Sequence, residues 1–166
     1  MSFFEALENT WPGQAVQVWP WGFPILEIVH LCGLTVVFGG MVLLDFRMMG
    51  LGRSWSVMTL ERYILRFVWA GFALAAFAGV WLFIYEATTL VRDTPFLIKM
   101  VLIPLAGLNA LFMHFVAMKD VEAWDRNAAP PLLVRLSAGL SLVIWTGVLA
   151  CGRLIAYFYP LPSFAS

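Results

Sequence analysis

Four long apolar stretches alternate with short segments that carry most of the charged residues. They cover Phe23–Leu44, Tyr63–Tyr85, Phe96–Met118 and Val134–Tyr157. Each reaches the roughly 20 residues that an α-helix needs to cross the hydrocarbon core of a bilayer. The connections are too short to hold a further domain, and no internal repeat is present. The pattern therefore predicts an all-α protein whose residues 1–166 form a single integral membrane four-helix bundle.

The segment before the first apolar stretch has the pattern of a short amphipathic helix. Ser2 and Glu5 have the spacing of a capping box, and apolar side chains share a helix face opposite Glu8. We expect this helix to lie flat at the membrane interface. Aromatic residues typical of that interface follow it and recur near the end of the chain: Trp11, Trp19, Trp21, Tyr157, Phe158 and Tyr159. The segment lacks the basic and continuously apolar regions of a cleaved signal peptide, so we expect the first stretch to be retained.

Composition supports the membrane assignment and excludes several classes of function. Hydrophobic residues make up 62% of the chain and charged residues 12%, whereas soluble domains have about 45–50% apolar and about 25% charged residues. The formal net charge of zero gives no support to nucleic-acid binding. Cys32 and Cys151 lie in apolar runs without C-x-x-C spacing, which indicates small buried side chains. No nucleophile–base pair or nucleotide-binding loop supports a hydrolase or a nucleotide-driven pump.

The basic residues are distributed unequally between the two sides of the predicted bundle. One side holds Arg47, Arg53, Arg62, Arg66, Lys119, Arg126 and Arg135, and the other holds Arg92, Lys99 and Arg153. Cytoplasmic loops carry the excess of Lys and Arg in membrane proteins. We therefore expect a multi-pass protein of a bacterial inner membrane with both termini on the extracytoplasmic side.

Several ionisable residues fall inside the apolar stretches, where each costs about 2.5–3.5 kcal/mol on insertion scales. With a rise of ~1.5 Å per residue, His30 lies about 4–5 Å and Glu27 about 9 Å outward from the midplane. Lys99 and Arg153 lie near 12 Å on the same side. Glu27 shares a helix face with His30, and Tyr157 shares one with Arg153. Three helices thus place one histidine below two cations.

This arrangement is typical of a haem b site. His30 would ligate the iron, Lys99 and Arg153 would neutralise the propionates, and Glu27 and Tyr157 complete the candidate site. The structural alternative is that Glu27 pairs with Lys99 or Arg153 to hold the bundle together, with His30 as a buried hydrogen-bond donor. Spacing alone leaves both interpretations open.

The second histidine, His114, lies about 10 Å on the cytoplasmic side of the midplane. The two histidines differ in depth by roughly 15 Å, so they cannot share one iron. Either His114 ligates a metal or cofactor at a second site, or it meets Asp120 or Asp45 at the cytoplasmic rim. We favour the rim, because no intramembrane cations accompany this histidine. Asn109, near the midplane, is interpreted as an interhelical hydrogen-bonding residue.

Asp45 and Arg47 stand at the cytoplasmic end of the first stretch, where we expect an interfacial charge pair beside exposed methionines. A copper path through the methionines is the alternative. Copper-binding methionines commonly recur as Met-x-x-Met, and this chain lacks that repeat. Copper therefore remains the second cofactor candidate after haem b.

The chain resembles a bacterial family of small four-helix membrane proteins that contain a domain of unknown function. The resemblance covers most of the chain and rests on four motifs in order: Ile25-Leu26-Glu27-Ile28-Val29-His30-Leu31-Cys32-Gly33; Leu44-Asp45-Phe46-Arg47-Met48-Met49-Gly50; Pro95-Phe96-Leu97-Ile98-Lys99-Met100 with Leu105-Ala106-Gly107-Leu108-Asn109-Ala110; and Gly152-Arg153-Leu154-Ile155-Ala156-Tyr157. More distantly it is similar to the HemJ type of protoporphyrinogen oxidase and to CopD-type copper-resistance membrane proteins.

The HemJ resemblance implies haem b with roles for His30 and Lys99. The chain departs from that type in carrying Asp45 before Arg47 and in having Glu27 and Arg153, so the oxidase reaction is not carried over. The leading hypothesis is a haem b protein that transfers electrons or oxidises a lipid-soluble or periplasmic partner, in which case it could be a membrane oxidoreductase. The alternatives are a copper-handling or transport protein and a non-catalytic subunit of a larger complex. A homo-oligomer or a redox partner protein fits these hypotheses.

Overall fold

The computed structural model describes residues 2–126 and 128–158, and for Phe158 the backbone alone. Tyr159, which belongs to the predicted aromatic belt, lies outside the described residues. The helices are α1 (Phe3–Glu8), α2 (Trp11–Val18), α3 (Gly22–Met49), α4 (Val57–Tyr85), α5 (Ala87–Leu90), α6 (Thr94–Phe112), α7 (Val121–Trp124) and α8 (Leu132–Phe158). A π-helical turn, Met113–Ala117, continues α6. The predicted all-α four-helix membrane bundle is confirmed.

All four long helices begin before the predicted apolar stretches, and polar caps or a glycine turn set the ends for which the structure shows them. At the start of α4, the Ser56 side chain accepts a hydrogen bond from the backbone amide of Thr59. Gly50 ends α3 with a φ of 107°, a left-handed conformation that favours glycine. Asp93 accepts from the amide of Phe96 at the start of α6. Apolar length therefore predicts that a helix crosses the membrane, and local capping decides where it begins and ends.

The N-terminal segment forms two short helices where one was predicted. The capping box is confirmed, with the amide of Ser2 donating to Glu5 and the amide of Glu5 donating to Ser2. The carboxylate of Glu8 accepts from both the amide and the hydroxyl of Thr88, at 2.8 and 2.6 Å. Trp11 packs edge to face on Trp81, with centroids 5.9 Å apart. The segment is thus fastened to the bundle through the end of α4 and through α5.

The bundle is built on two tightly packed helix pairs, α3 with α4 and α6 with α8, and α3 also packs against α8. By contrast, α4 and α6 meet mainly at their ends. Phe83 stacks on Phe96 at one end, with centroids 5.6 Å apart, and Glu61 meets His114 at the other. Large apolar side chains are exposed on all four long helices, as expected of a surface that faces lipid.

Asn109 joins α6 to α8, which confirms the interpretation of this residue as interhelical. Its side-chain amide donates to the carbonyl of Ser137 at 3.1 Å, and the Ser137 hydroxyl donates back to its side-chain oxygen at 2.9 Å. A buried apolar cluster lies closer to the end of the bundle where α3 ends and α4 begins, and it consists of Met48, Val57, Met113, Met118, Trp124, Val134 and Ala138. This end of the bundle therefore has a sealed apolar core.

Candidate functional site

His30 lies in the groove between α3 and α4. Its Nδ1 atom is 2.7 Å from the carbonyl oxygen of Ala75. The ring lies over Gly79 of α4. A Cβ added to Gly79 would stand only 3.0 Å from the imidazole Cε1. Counting depth along the helices places Ala78 opposite His30, in agreement with this position. Gly79 therefore leaves the space that the ring occupies.

The bond to Ala75 fixes the chemical state of the His30 ring. A backbone carbonyl can only accept, so Nδ1 must carry the proton. In the neutral ring, Nε2 then holds the free lone pair. Nε2 has no hydrogen-bond partner among the described residues. It is also not fully buried, so another molecule can reach it. A histidine with one nitrogen bonded to a carbonyl and the other open is the usual arrangement of a metal-ligating imidazole.

Lys99 extends from α6 towards α8. Its ammonium nitrogen lies beside Gly152 of α8, 3.9 Å from the position that an added Cβ would take there. The ammonium is also close enough to Cys151 and His30 to act on both electrostatically. In the part of the chain that the structure describes, no carboxylate lies within ion-pair distance of this ammonium. Lys99 is therefore a half-buried cation without a protein anion.

The other predicted site residues are more exposed than Lys99. Glu27 acts electrostatically on His30, and its side chain is exposed. The Arg153 guanidinium lies over the Tyr157 ring, 5.0 Å from its centroid, and both are exposed. The ion pairs found within the described ranges join other residues. Glu27 therefore does not pair with Lys99 or Arg153, and the structural alternative is wrong on this point.

His114 has a different partner from those predicted. Its Nδ1 atom lies 3.3 Å from a carboxylate oxygen of Glu61, and its side chain is 60% exposed. The expectation of a contact with Asp120 or Asp45 is wrong. His114 stands in the π-helical turn, and a π turn shifts the helix face on which later residues lie. From within this turn, the His114 side chain contacts Glu61 of α4.

Asp45 and Arg47 are also placed differently from the expectation of an exposed charge pair. Asp45 is 2% exposed and Arg47 is 3% exposed. The Arg47 guanidinium donates hydrogen bonds to the carbonyls of Trp55 at 2.8 Å and Asp125 at 2.7 Å. The Asp45 carboxyl group is instead hydrogen-bonded to the Ser141 hydroxyl. The two charges face different neighbours because residues two apart lie on different sides of a helix.

Asp125 is a structural carboxylate that the sequence analysis missed. Its Oδ1 accepts a hydrogen bond from the amide of Met58 at 3.0 Å, so Asp125 caps the start of α4 from a distant part of the chain. Burial raises the pKa of Asp125, but hydrogen bonds from Met58, from the Ser56 hydroxyl and from the amide of Val57 outweigh burial and hold that pKa below its ordinary value. An acidic residue placed to cap a distant helix has no local sequence signal.

Elsewhere in the described residues, no group of three or more His, Cys, Asp and Glu side chains converges to hold a metal ion. Within the same part of the chain, Cys32 and Cys151 are free cysteines. Cys151 is buried as predicted, whereas Cys32 is exposed, so the prediction of a buried side chain is wrong for Cys32. Comparison of the chain with protein-family models, with curated proteins and with solved structures finds no match.

Proposed function

We propose that this chain is a membrane protein that binds haem b through His30 in the extracytoplasmic half of the bilayer. The observation that carries the proposal is the hydrogen bond between Nδ1 of His30 and the Ala75 carbonyl. It orients the ring and leaves Nε2 as the free ligand atom. A histidine that only joined two helices would need the same bond, so the distinguishing requirement is a ligand on Nε2.

The chemistry of the donor set favours a macrocycle over a bare metal ion. A bare copper or zinc ion needs several protein ligands, and no cluster of His, Cys, Asp and Glu of that kind occurs in the described ranges. A porphyrin supplies four nitrogens itself, so one imidazole is enough to hold its iron. A single oriented histidine therefore suits haem better than it suits copper.

Lys99 supports the same assignment, because a half-buried ammonium with no carboxylate partner among residues 2–126 and 128–157 requires a counter-charge from elsewhere. Propionates would provide it, with the exposed Arg153 on the adjoining helix as a second cation. Tyr157 supports the Arg153 guanidinium through its ring face, and Glu27 contributes negative charge near His30. When bound, haem would supply a one-electron couple for electron transfer or oxidation of a lipid-soluble or periplasmic partner.

The first experiment is an absorption spectrum of the full-length protein, purified in detergent from cells that make haem, together with its metal content. A Soret band with about one haem per chain is the expected result. A colourless protein that contains copper would favour the copper alternative. A colourless protein without metal, which also fails to take up added haemin, would refute the proposal.

Replacing Lys99 by Met should lower haem retention several-fold, because the propionates would lose their half-buried counter-charge. Arg153→Met should have a smaller effect in the same direction, since the Arg153 side chain is exposed. Haem per chain after gel filtration is the measurement, with Arg92→Met as the control for a cation on the same side. Unchanged haem in both variants would remove the propionate role.

We further propose that both chain termini lie on the extracytoplasmic side of a bacterial inner membrane, following the Lys and Arg bias of the connections. An alkaline phosphatase fusion after Ser166 should be active, and a fusion in the connection between α3 and α4 should be inactive. Inactive phosphatase after Ser166, with an active cytoplasmic reporter at the same position, would reverse the orientation and place His30 in the cytoplasmic half.

A further inference from the structure

At the cytoplasmic end of α3, the carboxyl group of Asp45 is sealed inside the bundle. The residue is 2% exposed. The Ser141 hydroxyl of α8 is hydrogen-bonded to it, and Oδ2 has no hydrogen-bond partner and no contact with solvent. An isolated ionised carboxylate in such a place loses its hydration without compensation, at a cost of several kcal/mol or more.

The surroundings of Asp45 provide no positive charge. Arg47 follows on the same helix, but its guanidinium is directed to the carbonyls of Trp55 and Asp125 and does not act on Asp45. The described residues of α4, α6 and α8 place no charged side chain in electrostatic contact with it either. Ser141 is neutral. An uncompensated carboxylate here is expected to neutralise itself by taking up a proton.

We propose that Asp45 is an intramembrane proton-binding site that is occupied at neutral pH. The reaction is simple: a carboxylate oxygen takes a proton from hydronium and leaves water. This site is separate from the proposed haem site and stands whether or not haem is bound. Its ligand is a proton, delivered at the cytoplasmic end of the bundle.

A metal cation is a poorer occupant than a proton. Sodium and other hard cations need several oxygen ligands, whereas Oδ2 has no hydrogen-bond partner among the described residues and no clustered carboxylate or histidine beside it. A proton needs only the carboxyl oxygen. The carboxylic acid that forms keeps its other oxygen as the acceptor for Ser141.

Polar side chains continue from Asp45 across the bundle to α8 and α6. Ser141 and Ser137 are four residues apart and therefore lie on one face of α8. Both serines are buried, and Ser137 exchanges two hydrogen bonds with Asn109. Asp45 is thus the titratable end of a line of polar side chains that crosses three helices.

The test is infrared spectroscopy of the full-length protein in lipid, because the carbonyl of a protonated carboxylic acid absorbs apart from carboxylates and amides. At neutral pH the wild-type protein should show this band, and Asp45→Asn should lose it. Asp120→Asn, which changes an exposed carboxylate, should keep it. Absence of the band in the wild type, or its persistence in Asp45→Asn, would overturn the proposal.

Ser141→Ala provides a second test that does not require the Asp45 variant to fold. It should keep the band and shift it to higher frequency, because the carbonyl loses a hydrogen bond. An unshifted band would assign the signal to another carboxyl group. Thermal unfolding of the wild type at fixed pH should not depend on sodium; a sodium-dependent stabilisation that Asp45→Asn abolishes would identify a metal-cation site.

Discussion

Replacement of His30 by Gly should abolish haem binding, whereas His114→Gly should leave most of the haem in place. His30 is an oriented histidine with an open Nε2, and Lys99 lies close to it as a cation that has no carboxylate partner in the described part of the chain. His114 is 60% exposed and already paired with Glu61. Haem per chain from the Soret absorbance of purified variants measures the difference. The reverse result would contradict the proposed site.

A rescue experiment separates loss of the ligand from loss of the fold. In His30→Gly, free imidazole can enter the space that the ring leaves and ligate the iron, so added imidazole should restore a Soret band. The wild-type spectrum carries further information. With His30 as the one ligating histidine of each chain, the iron should be five-coordinate and high-spin, unless a dimer brings two His30 rings to one haem and makes it low-spin. Failure of imidazole to restore haem in a folded variant would argue against direct ligation.

The fold was largely predictable because membrane crossing imposes a simple requirement. A helix must be long and apolar to span the bilayer, and no other local structure satisfies the backbone there. The N-terminal segment was less predictable. The sequence places Glu8 on the exposed face of an interfacial helix. In the structure its carboxylate accepts a hydrogen bond from the amide of Thr88, 80 residues away in the chain. Docking between distant segments leaves no periodic signal in the sequence.

The sequence predicts the depth of each candidate site residue in the membrane, but not which side chains meet between neighbouring helices. The regular rise of a helix gives the level of His30 and hence its neighbourhood on α4. Which side chains meet across helices depends on rotation and on irregular turns. His114 contacts Glu61 from within the π turn at Met113–Ala117, and the helix packing seals Asp45 beside Ser141. None of these contacts follows from hydrophobicity or spacing.

The closest approach of α3 to α4 depends on Gly33, so Gly33→Ala should destabilise the bundle strongly. An added Cβ would stand 2.7 Å from both the amide nitrogen of Ala75 and the carbonyl oxygen of Gly71. These are backbone atoms of a neighbouring helix, so one helix must move. Overpacking of this kind typically costs about 1–3 kcal/mol, and sometimes more. Thermal unfolding in detergent should show a clearly lower midpoint.

Gly39→Ala is the matched control, because it makes the same change on the same helix at a position with no atom within 4 Å of the added Cβ. Alanine favours a helix over glycine by up to about 1 kcal/mol, so this variant should be as stable as the wild type or slightly more stable. His30 lies one turn before Gly33 and bonds to Ala75, the residue that the new methyl group would push away. Gly33→Ala should therefore also lower haem retention, while Gly39→Ala should not. Equal stability of the two variants would show that the helices can separate at Gly33 without cost and that their close contact does not position His30.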